Sequence, residues 1–328
     1  MDMKGSFAAI RGAIEKSAAE RSSQKVISVA YAVVHLIGGV LLASARLLGS
    51  AGPFGIAAVA ASGAGLNGVG CLIGAAIGYI ISSGLAGSIR YLAAIVLVYT
   101  VSFAFQDTKL SRKSIFAPSV AAIAALSTGI LSSFTSVFTQ APAAAVVLAE
   151  TVFSFGGCSF FREALSDTER TTEAEELRYA GSVLITAAVL LMAVSQIEIF
   201  GAISLGRLLA LLIVMTCTLR CGIMTGCTIG TAFGIAMDLT AGGMPFYTMA
   251  YAFAGLLSGV FNRHGRIAFL LAFTVSNAAA VACAWSVTQR TEALFEVFAA
   301  SVIFLLLPSG FLSRVGSVVQ PVVSGSGE

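Results

Sequence analysis

The stretch VISVAYAVVHLIGGVLLASARLL, Val26–Leu48, decides the fold class of this chain, and its only basic or acidic side chains are His35 and Arg46. As a helix it is about 35 Å long, enough to cross a hydrocarbon core of about 30 Å. Similar apolar runs recur as far as Pro308, the mean hydropathy is +0.94, and only 11% of residues are charged. Ordinary soluble domains have about 25% charged residues. The composition therefore excludes a soluble enzyme and predicts an all-α, polytopic transmembrane helical bundle.

Apolar segments separated by short connections predict ten to twelve spans. The second segment covers only about 21 Å, so it and its glycine-rich successor can instead form a re-entrant pair, which leaves ten full spans. The predicted spans are Val26–Leu48, Pro53–Leu66, Val69–Ser83, Tyr91–Phe105, Ile115–Phe138, Pro142–Phe160, Tyr179–Ile197, Ser204–Leu219, Cys221–Met237, Pro245–Phe261, Ile267–Trp285 and Leu294–Leu307.

The basic residues of short loops predict that both termini are cytoplasmic, since such residues concentrate on that side. Residues 1–25 combine five basic groups with Phe7, Ile10 and Ile14 at helical spacing, which is typical of a cytoplasmic amphipathic helix on the membrane surface. The polytopic domain then covers residues 26–315. With the N-terminus inside, the loop residues on the same side are Lys109, Arg112, Lys113, Arg263, His264, Arg266 and Arg314, against Arg90 and Arg290 outside.

Two polar segments interrupt or follow the membrane domain. Residues 162–178 hold six acidic residues and three arginines and are predicted to be a solvated cytoplasmic loop or helix, with docking of a partner as the alternative. Residues 316–328 end in the serine- and glycine-rich QPVVSGSGE, which is typical of a linker toward a further C-terminal domain.

A weak internal repeat is visible at an offset of 192 residues. It sets Pro53, Phe54, Ala58, Ala60 and Gly63 against Pro245, Phe246, Ala250, Ala252 and Gly255. Both copies begin on the same predicted side, so the offset implies a parallel duplication, as occurs in other membrane folds.

Two glycine stripes at a spacing of four predict tightly packed helices, because small residues let helix backbones approach closely in lipid. Internal packing and contact with a second copy of the chain both fit this pattern. The stripes are Gly70, Gly74 and Gly78, and Gly222, Gly226, Gly230 and Gly234.

Ionisable residues inside spans need a partner or a wet cavity, because an unpaired charge there costs about 2.5–3.5 kcal/mol. Arg46 and Asp238 are related by the offset of 192, so we expect them to form an ion pair; a substrate or proton site and no contact at all are the alternatives. Glu150 lies in the middle of a span and is expected either to be protonated or to pair with Arg207 or Arg220.

Arg207 and Arg220 also lie near span ends, from which an arginine can reach the headgroups. His35 is expected to be a hydrogen-bonded core residue. The six cysteines lie in apolar segments without neighbouring histidines, so no metal site is predicted. The net charge of +3 is too small and too scattered for binding nucleic acid.

The motifs of soluble enzymes are missing from the sequence: it contains no P-loop, no His-Glu-x-x-His and no Gly-x-Ser-x-Gly. With four aspartates, scattered along the chain, it offers no clustered carboxylates for a two-metal phosphatase centre. No catalytic residue and no cofactor are therefore predicted within this chain.

The stretch LLASARLLGSAGPFGIAAVAASGAGLNGVGCLIGAAIGYI, together with the later MPFYTMAYAFAGLLSGVFNRHGRIAFLLAFTVSNA and FLLLPSGFLSRV, resembles the N-terminal membrane region of the stage II sporulation protein E family. The resemblance covers about residues 30–315. It implies a ten-helix bacterial membrane domain that anchors and localises a manganese-dependent phosphatase of the protein-phosphatase-2C type, whose catalytic residues have no counterpart here.

The resemblance further implies enrichment at the asymmetric division septum, self-association, and two protein partners: the tubulin-like division protein and an anti-anti-sigma factor. Dephosphorylation of the latter frees the first forespore sigma factor. A small-solute or ion transporter is the alternative, with a site in the middle of the membrane formed by Arg46, Asp238 and Glu150.

Overall fold

The computed structural model describes residues 28–132, 134, 140–166, 170–199, 201, 203–242, 244–288, 292–308 and 310. The predicted amphipathic segment 1–25 and the linker 316–328 lie outside these residues. Within them, the chain forms eleven helices and one two-stranded antiparallel ladder. The elements are α1 Ser28–Ser44, α2 Pro53–Ser62, α3 Leu66–Phe105, α4 Phe116–Ser132, α5 Ala141–Ala164, α6 Glu173–Val194, β1 Glu198–Ile199, β2 Ile203–Ser204, α7 Leu205–Cys221, α8 Ile223–Ala241, α9 Tyr247–Val260, α10 Arg266–Thr288 and α11 Glu292–Leu306.

Five helices of the described chain, α3, α5, α6, α8 and α10, are long and apolar enough to cross a membrane. They support the predicted all-helical membrane protein but not the predicted ten to twelve spans. The shorter apolar helices have 10 to 17 residues, so each covers at most about 26 Å of a core of about 30 Å. The predicted number is higher because it counted these short helices as full spans and divided residues 66–105 into two.

Helix α3 is folded back on itself at Gly84, which has φ 66° and ψ 170°. The rings of Tyr79 and Tyr91 stack with their centroids 4.6 Å apart, whereas twelve residues of straight helix span about 18 Å. The Tyr99 hydroxyl also lies 3.4 Å from the carbonyl oxygen of Ala64. Residues 66–83 and 85–105 are therefore two antiparallel arms, and a glycine stands at the break because L side chains rarely adopt this φ.

When the two arms of α3 are counted as separate helices, the described chain consists of two six-helix units with the same order of elements, residues 28–164 and residues 173–306. In each unit the first helix leads into a small antiparallel ladder, formed by Leu47 and Ala51 in the first unit and by β1 and β2 in the second. The second helix, α2 or α7, ends at a glycine with positive φ, Gly63 or Gly222. The third helix ends at another one, Gly84 or Gly242, with φ 66° in both.

Packing within the two units agrees with this correspondence. The last helix of each unit packs on the second one, as α5 on α2 and α11 on α7. It also packs on the preceding helix, as α5 on α4 and α11 on α10. The duplication is thus a property of the fold and not only of the sequence.

The structure corrects the predicted offset of the repeat from 192 to 156 residues in the central helices. An offset of 156 superimposes the glycine stripe of α3 on that of α8, Gly70 on Gly226 for example, and Tyr91 on Tyr247. At the predicted offset, Pro53 opens α2, whereas Pro245 precedes α9, which is the fourth helix of its unit. The matches at 192 residues came from alanine- and glycine-rich segments that occupy different places in the fold.

The glycine stripes are covered by helices of the chain itself. A methyl group on Gly70 would lie 2.5 Å from the carbonyl oxygen of Ala32 in α1, and one on Gly230 would lie 2.6 Å from the carbonyl oxygen of Tyr251 in α9. Gly74, Gly78, Gly226 and Gly234 are equally close to neighbouring chain. Gly222, by contrast, forms the break before α8 with φ 90°. The structure therefore supports internal packing and leaves these faces closed to a second copy.

The predicted acidic segment 162–178 is largely helical where the structure describes it. Helix α5 continues to Ala164, and α6 begins at Glu173 with a capping box formed by Thr172 and Glu175. Arg178 pairs with Glu163 at 2.7 Å on the surface. This segment is therefore the exposed connection between the two units.

We predict that Gly74→Ala and Gly234→Ala each lower the free energy of unfolding by about 1–3 kcal/mol, because the added methyl forces packed backbones apart. Gly181→Ala in α6 is the matched control, since no atom of the described chain lies within 4 Å of its added methyl. We expect the control to be neutral or slightly stabilising, by up to about 1 kcal/mol. Unfolding of the purified protein in detergent measures all three, and equal effects would contradict the packing of the stripes.

Candidate functional site

The first unit contains a buried cluster around Glu150, which is 2% exposed. Its Oε1 accepts hydrogen bonds from Arg90 Nη2 at 2.5 Å and from the Tyr91 hydroxyl at 2.6 Å. The backbone N–H of Gly52, the residue before α2, also points at Oε1, at 3.3 Å. We call Arg90, Tyr91, Glu150 and Gly52 the first cluster.

Two further side chains fix the geometry of the first cluster. The Tyr79 hydroxyl donates to the carbonyl oxygen of Gly52 at 2.5 Å and accepts from the N–H of Ile56 at 3.1 Å. Its ring stacks on that of Tyr91 with 9° between the planes. The bend of α3 at Gly84 thus brings two tyrosines and an arginine to the start of α2.

The second unit contains an equivalent cluster around Glu296, which is fully buried. Its Oε1 accepts from Arg207 Nη1 at 2.9 Å and from the N–H of Ser204 at 3.1 Å. Arg207 Nη1 also donates to the Tyr247 hydroxyl at 2.7 Å. We call Arg207, Tyr247, Glu296 and Ser204 the second cluster.

The two clusters share one arrangement. In each, a glutamate from the last helix of the unit accepts a hydrogen bond at the N-terminus of the second helix of that unit. The first N–H groups of a helix have no partner within it and carry partial positive charge, which favours a carboxylate. One arginine then neutralises the glutamate, as burial away from water requires. Glu292 lies at the edge of the second cluster, 4.0 Å from Arg207 and 60% exposed.

The predicted ion pair between Arg46 and Asp238 is not formed, although both residues are described. Arg46 donates to the carbonyl oxygen of Ser50 at 2.9 Å and to the hydroxyls of Ser82 and Ser83. The pair was inferred from the offset of 192, and the correct offset does not relate the two positions.

Asp238 instead caps the N-terminus of α9. Its carboxylate accepts from the N–H groups of Phe246, Tyr247 and Thr248, each at 2.8 Å, and from the hydroxyl of Thr248 at 2.6 Å. A carboxylate at this position is stabilised by the helix dipole as well as by the hydrogen bonds. It therefore needs no arginine.

The predicted partners of Glu150 are also corrected, since it pairs with Arg90 and not with Arg207 or Arg220. Arg207 is directed inward to Glu296, with its side chain only 15% exposed, and does not reach toward headgroups. Arg220 lies in the last turn of α7, outside both clusters. The expected hydrogen bond of His35 is found, because its Nδ1 lies 3.0 Å from the Ser62 hydroxyl, but the residue is half-buried and does not belong to the core.

Sequence reasoning missed Arg90 and Glu296 as site residues. Arg90 was assigned to a loop because it precedes a predicted span, and Glu296 was passed over three residues into another. Part of the signal was present in the sequence, because Tyr91 and Tyr247 lie 156 residues apart and the last helix of each unit carries a glutamate within its apolar stretch, Glu150 or Glu296.

The carboxylates of both clusters are surrounded by protein groups, and the first cluster borders an open space. A cavity of about 450 Å³ between α3 and α4 reaches Arg90, whose side chain is 23% exposed. Its other lining residues are mostly apolar. Across the described part of the chain, no three His, Cys, Asp or Glu residues are grouped in a way that could hold a metal ion.

Comparison with known proteins gives no match: the chain matches no family model, no curated protein and no solved structure. Its function is therefore inferred from its own sequence and geometry.

We predict that Arg207→Ala and Glu296→Ala are coupled in a double-mutant cycle by about 1–3 kcal/mol, because they share one buried hydrogen-bonded pair. The cycle of Arg46→Ala with Asp238→Ala is the control, with an expected coupling within about 0.5 kcal/mol. Equilibrium unfolding of the four single and two double variants gives both values. Strong coupling of Arg46 to Asp238 would restore the original ion-pair hypothesis.

We also predict that Glu150→Ala destabilises the protein by about 3–5 kcal/mol, because it leaves Arg90, the Tyr91 hydroxyl and the Gly52 N–H without the buried carboxylate that they share. Glu163→Ala removes an exposed ion pair with Arg178 and is expected to cost at most about 1 kcal/mol. The difference in unfolding free energy between the two variants is the measurement. A similar, small cost for both would show that the first cluster contributes little to stability.

Proposed function

We propose that this chain is a membrane-anchoring and localising domain that fixes a cytoplasmic effector to a bacterial membrane. The observation that carries the proposal is the hydrogen bonding of three carboxylates, two of them buried and one half-buried. Glu150, Glu296 and Asp238 each accept hydrogen bonds from two or more groups of the chain itself. Carboxylates that are hydrogen-bonded to the chain in this way hold its helices together.

The resemblance to the stage II sporulation protein E family supplies the proposed effector. In that reading the effector is a manganese-dependent serine/threonine phosphatase of the protein-phosphatase-2C type, joined beyond the linker 316–328. The tubulin-like division protein and an anti-anti-sigma factor are its proposed partners, and the asymmetric septum is its proposed location. Self-association would then use surfaces other than the glycine stripes.

A transporter is the second candidate, and the duplication favours it. Membrane transporters commonly consist of two repeated halves with interrupted helices, and their sites lie near those interruptions. Here Gly63, Gly84, Gly222 and Gly242 interrupt the helices at equivalent places, and each cluster lies beside the start of a helix. In this reading the substrate site would be the first cluster, reached through the cavity at Arg90.

We predict that the full chain with a fluorescent protein fused after Glu328 is retained in the membrane and concentrates at the asymmetric septum of sporulating cells. The same chain in liposomes should give no ion or solute flux above that of protein-free liposomes. Glu150→Gln is the discriminating variant, since it keeps the size of the side chain and removes its charge. Flux that requires Glu150 would favour the transporter. An even distribution of the fluorescent protein around the cell membrane would contradict septal targeting but not membrane anchoring.

A further inference from the structure

A polar recess lies in the first unit where four helix ends meet, away from both clusters. It is formed by the ends of α2, α3 and α5 and the start of α4, and its volume is about 230 Å³. We call it the first corner. Its lining residues are Ala60, Ala61, Gly63, Ala64, Ser102, Gln106, Ser111, Phe116, Ala117 and Arg162.

The first corner presents hydrogen-bond donors without a matching anion. The Ser102 hydroxyl is buried, with the residue 8% exposed, and finds no hydrogen-bond partner in the described part of the chain. An unsatisfied buried hydroxyl costs about 1–3 kcal/mol, so binding of a group that accepts its hydrogen bond is favoured. Arg162, held by a hydrogen bond of 3.0 Å to the carbonyl oxygen of Ser114, is the only charged lining residue.

The second unit carries basic and polar groups at the corresponding corner. Ser258 and Asn262 stand 156 residues after Ser102 and Gln106, and Arg266 begins α10 as Phe116 begins α4. Nε and Nη2 of Arg266 are buried and, among the described residues, have no hydrogen-bond partner. Arg220, at the end of α7, is close enough for its charge to act on Arg266.

Both corners therefore hold a guanidinium and unused donors, which are the buried Ser102 hydroxyl in the first corner and Nε and Nη2 of Arg266 in the second, among the described residues. Such a group matches the oxygens of a phosphate, which accept several hydrogen bonds and carry negative charge. The guanidinium of Arg266 is held over the ring of Phe304 at 4.8 Å, which fixes its direction.

We propose that these two corners bind the phosphate groups of anionic lipids. A lipid is favoured over free phosphate because each corner is flanked by exposed apolar side chains on which acyl chains can lie. Phe103 is 54% exposed and Ile115 60% beside the first corner, and Ile267 is 68% exposed beside the second. The exposed Lys109, Arg112 and Lys113 follow the first corner and add attraction for an anionic surface.

The proposal is independent of whether the chain is an anchor or a transporter, since it needs only a bilayer around the helices. A failure of lipid binding would leave both proposed functions untouched, and a failure of septal targeting would leave the corners untouched.

Native mass spectrometry of the full chain released from detergent with added phosphatidylglycerol or phosphatidylcholine tests the proposal. We expect retention of two phosphatidylglycerol molecules and weaker retention of phosphatidylcholine. Arg162→Gln and Arg266→Gln should each weaken one binding event about tenfold, corresponding to about 1.4 kcal/mol, and the double variant should weaken both. Arg178→Gln, which removes an exposed arginine outside the corners, is the control and should change neither.

Ser102→Ala separates a ligand role of the hydroxyl from a structural one. If Ser102 donates to a phosphate, the variant without added lipid is at least as stable as the wild type and binds phosphatidylglycerol more weakly at one site. Unchanged lipid retention would contradict a role in binding, whatever the change in stability. The substitution is small, so it remains informative even if an arginine variant fails to fold.

Titration with inorganic phosphate identifies the source of the phosphate. Retention of phosphatidylglycerol that millimolar phosphate does not reduce supports a lipid site, and competition by inorganic phosphate supports corners that accept the free anion as well. Equal retention of both lipids, or retention by the folded double variant equal to that of the wild type, would overturn the proposal.

Discussion

The fold depends on a glutamate from the last helix of each unit that accepts a hydrogen bond from the backbone at the start of the second helix. Glu150 reaches Gly52, and Glu296 reaches Ser204. In lipid, unpaired N–H groups at a helix start and an isolated carboxylate each cost free energy, because neither has a hydrogen-bond partner. A hydrogen bond between them removes both costs. The arginine of the cluster completes charge balance. The short second helices are therefore held in place by a polar contact, because their apolar length alone would not fix their depth.

The duplication shows which features this contact requires and which are free to differ. The glycine breaks, the glycine stripe and the tyrosine at the start of the fourth helical segment occur in both units. Other equivalent positions differ: Ile95 is a buried apolar residue, whereas Tyr251, 156 residues later, is a buried tyrosine whose hydroxyl has no hydrogen-bond partner within the described ranges. Ser82 accepts from Arg46, while the equivalent Asp238 caps a helix. Equivalent positions of the two units thus share their place in the fold but carry side chains of different chemistry.

Sequence reasoning predicted the class of protein and the close packing of the glycine stripes, because apolar run length and a spacing of four are local properties. It gave more spans than the structure supports because it counted apolar helices of 10 to 17 residues as full crossings, and apolar composition alone does not set where a helix ends. It also failed on ion pairs. Arg90 and Glu150 are 60 residues apart, and only the fold of α3 back at Gly84 brings them together. An offset chosen from alanine and glycine matches could not identify that contact.

The distribution of charge separates the interior of the protein from its ends. In the clusters each arginine is matched by a glutamate, so the interior has little net charge to offer a ligand. At the corners, Arg162 has no carboxylate among the residues that line its recess, and Nε and Nη2 of Arg266 have no hydrogen-bond partner in the part of the chain that the structure describes. The corners can therefore attract anions at the helix ends. Lipid phosphates bound at the corners would then act on the bundle at helix ends, away from the two clusters.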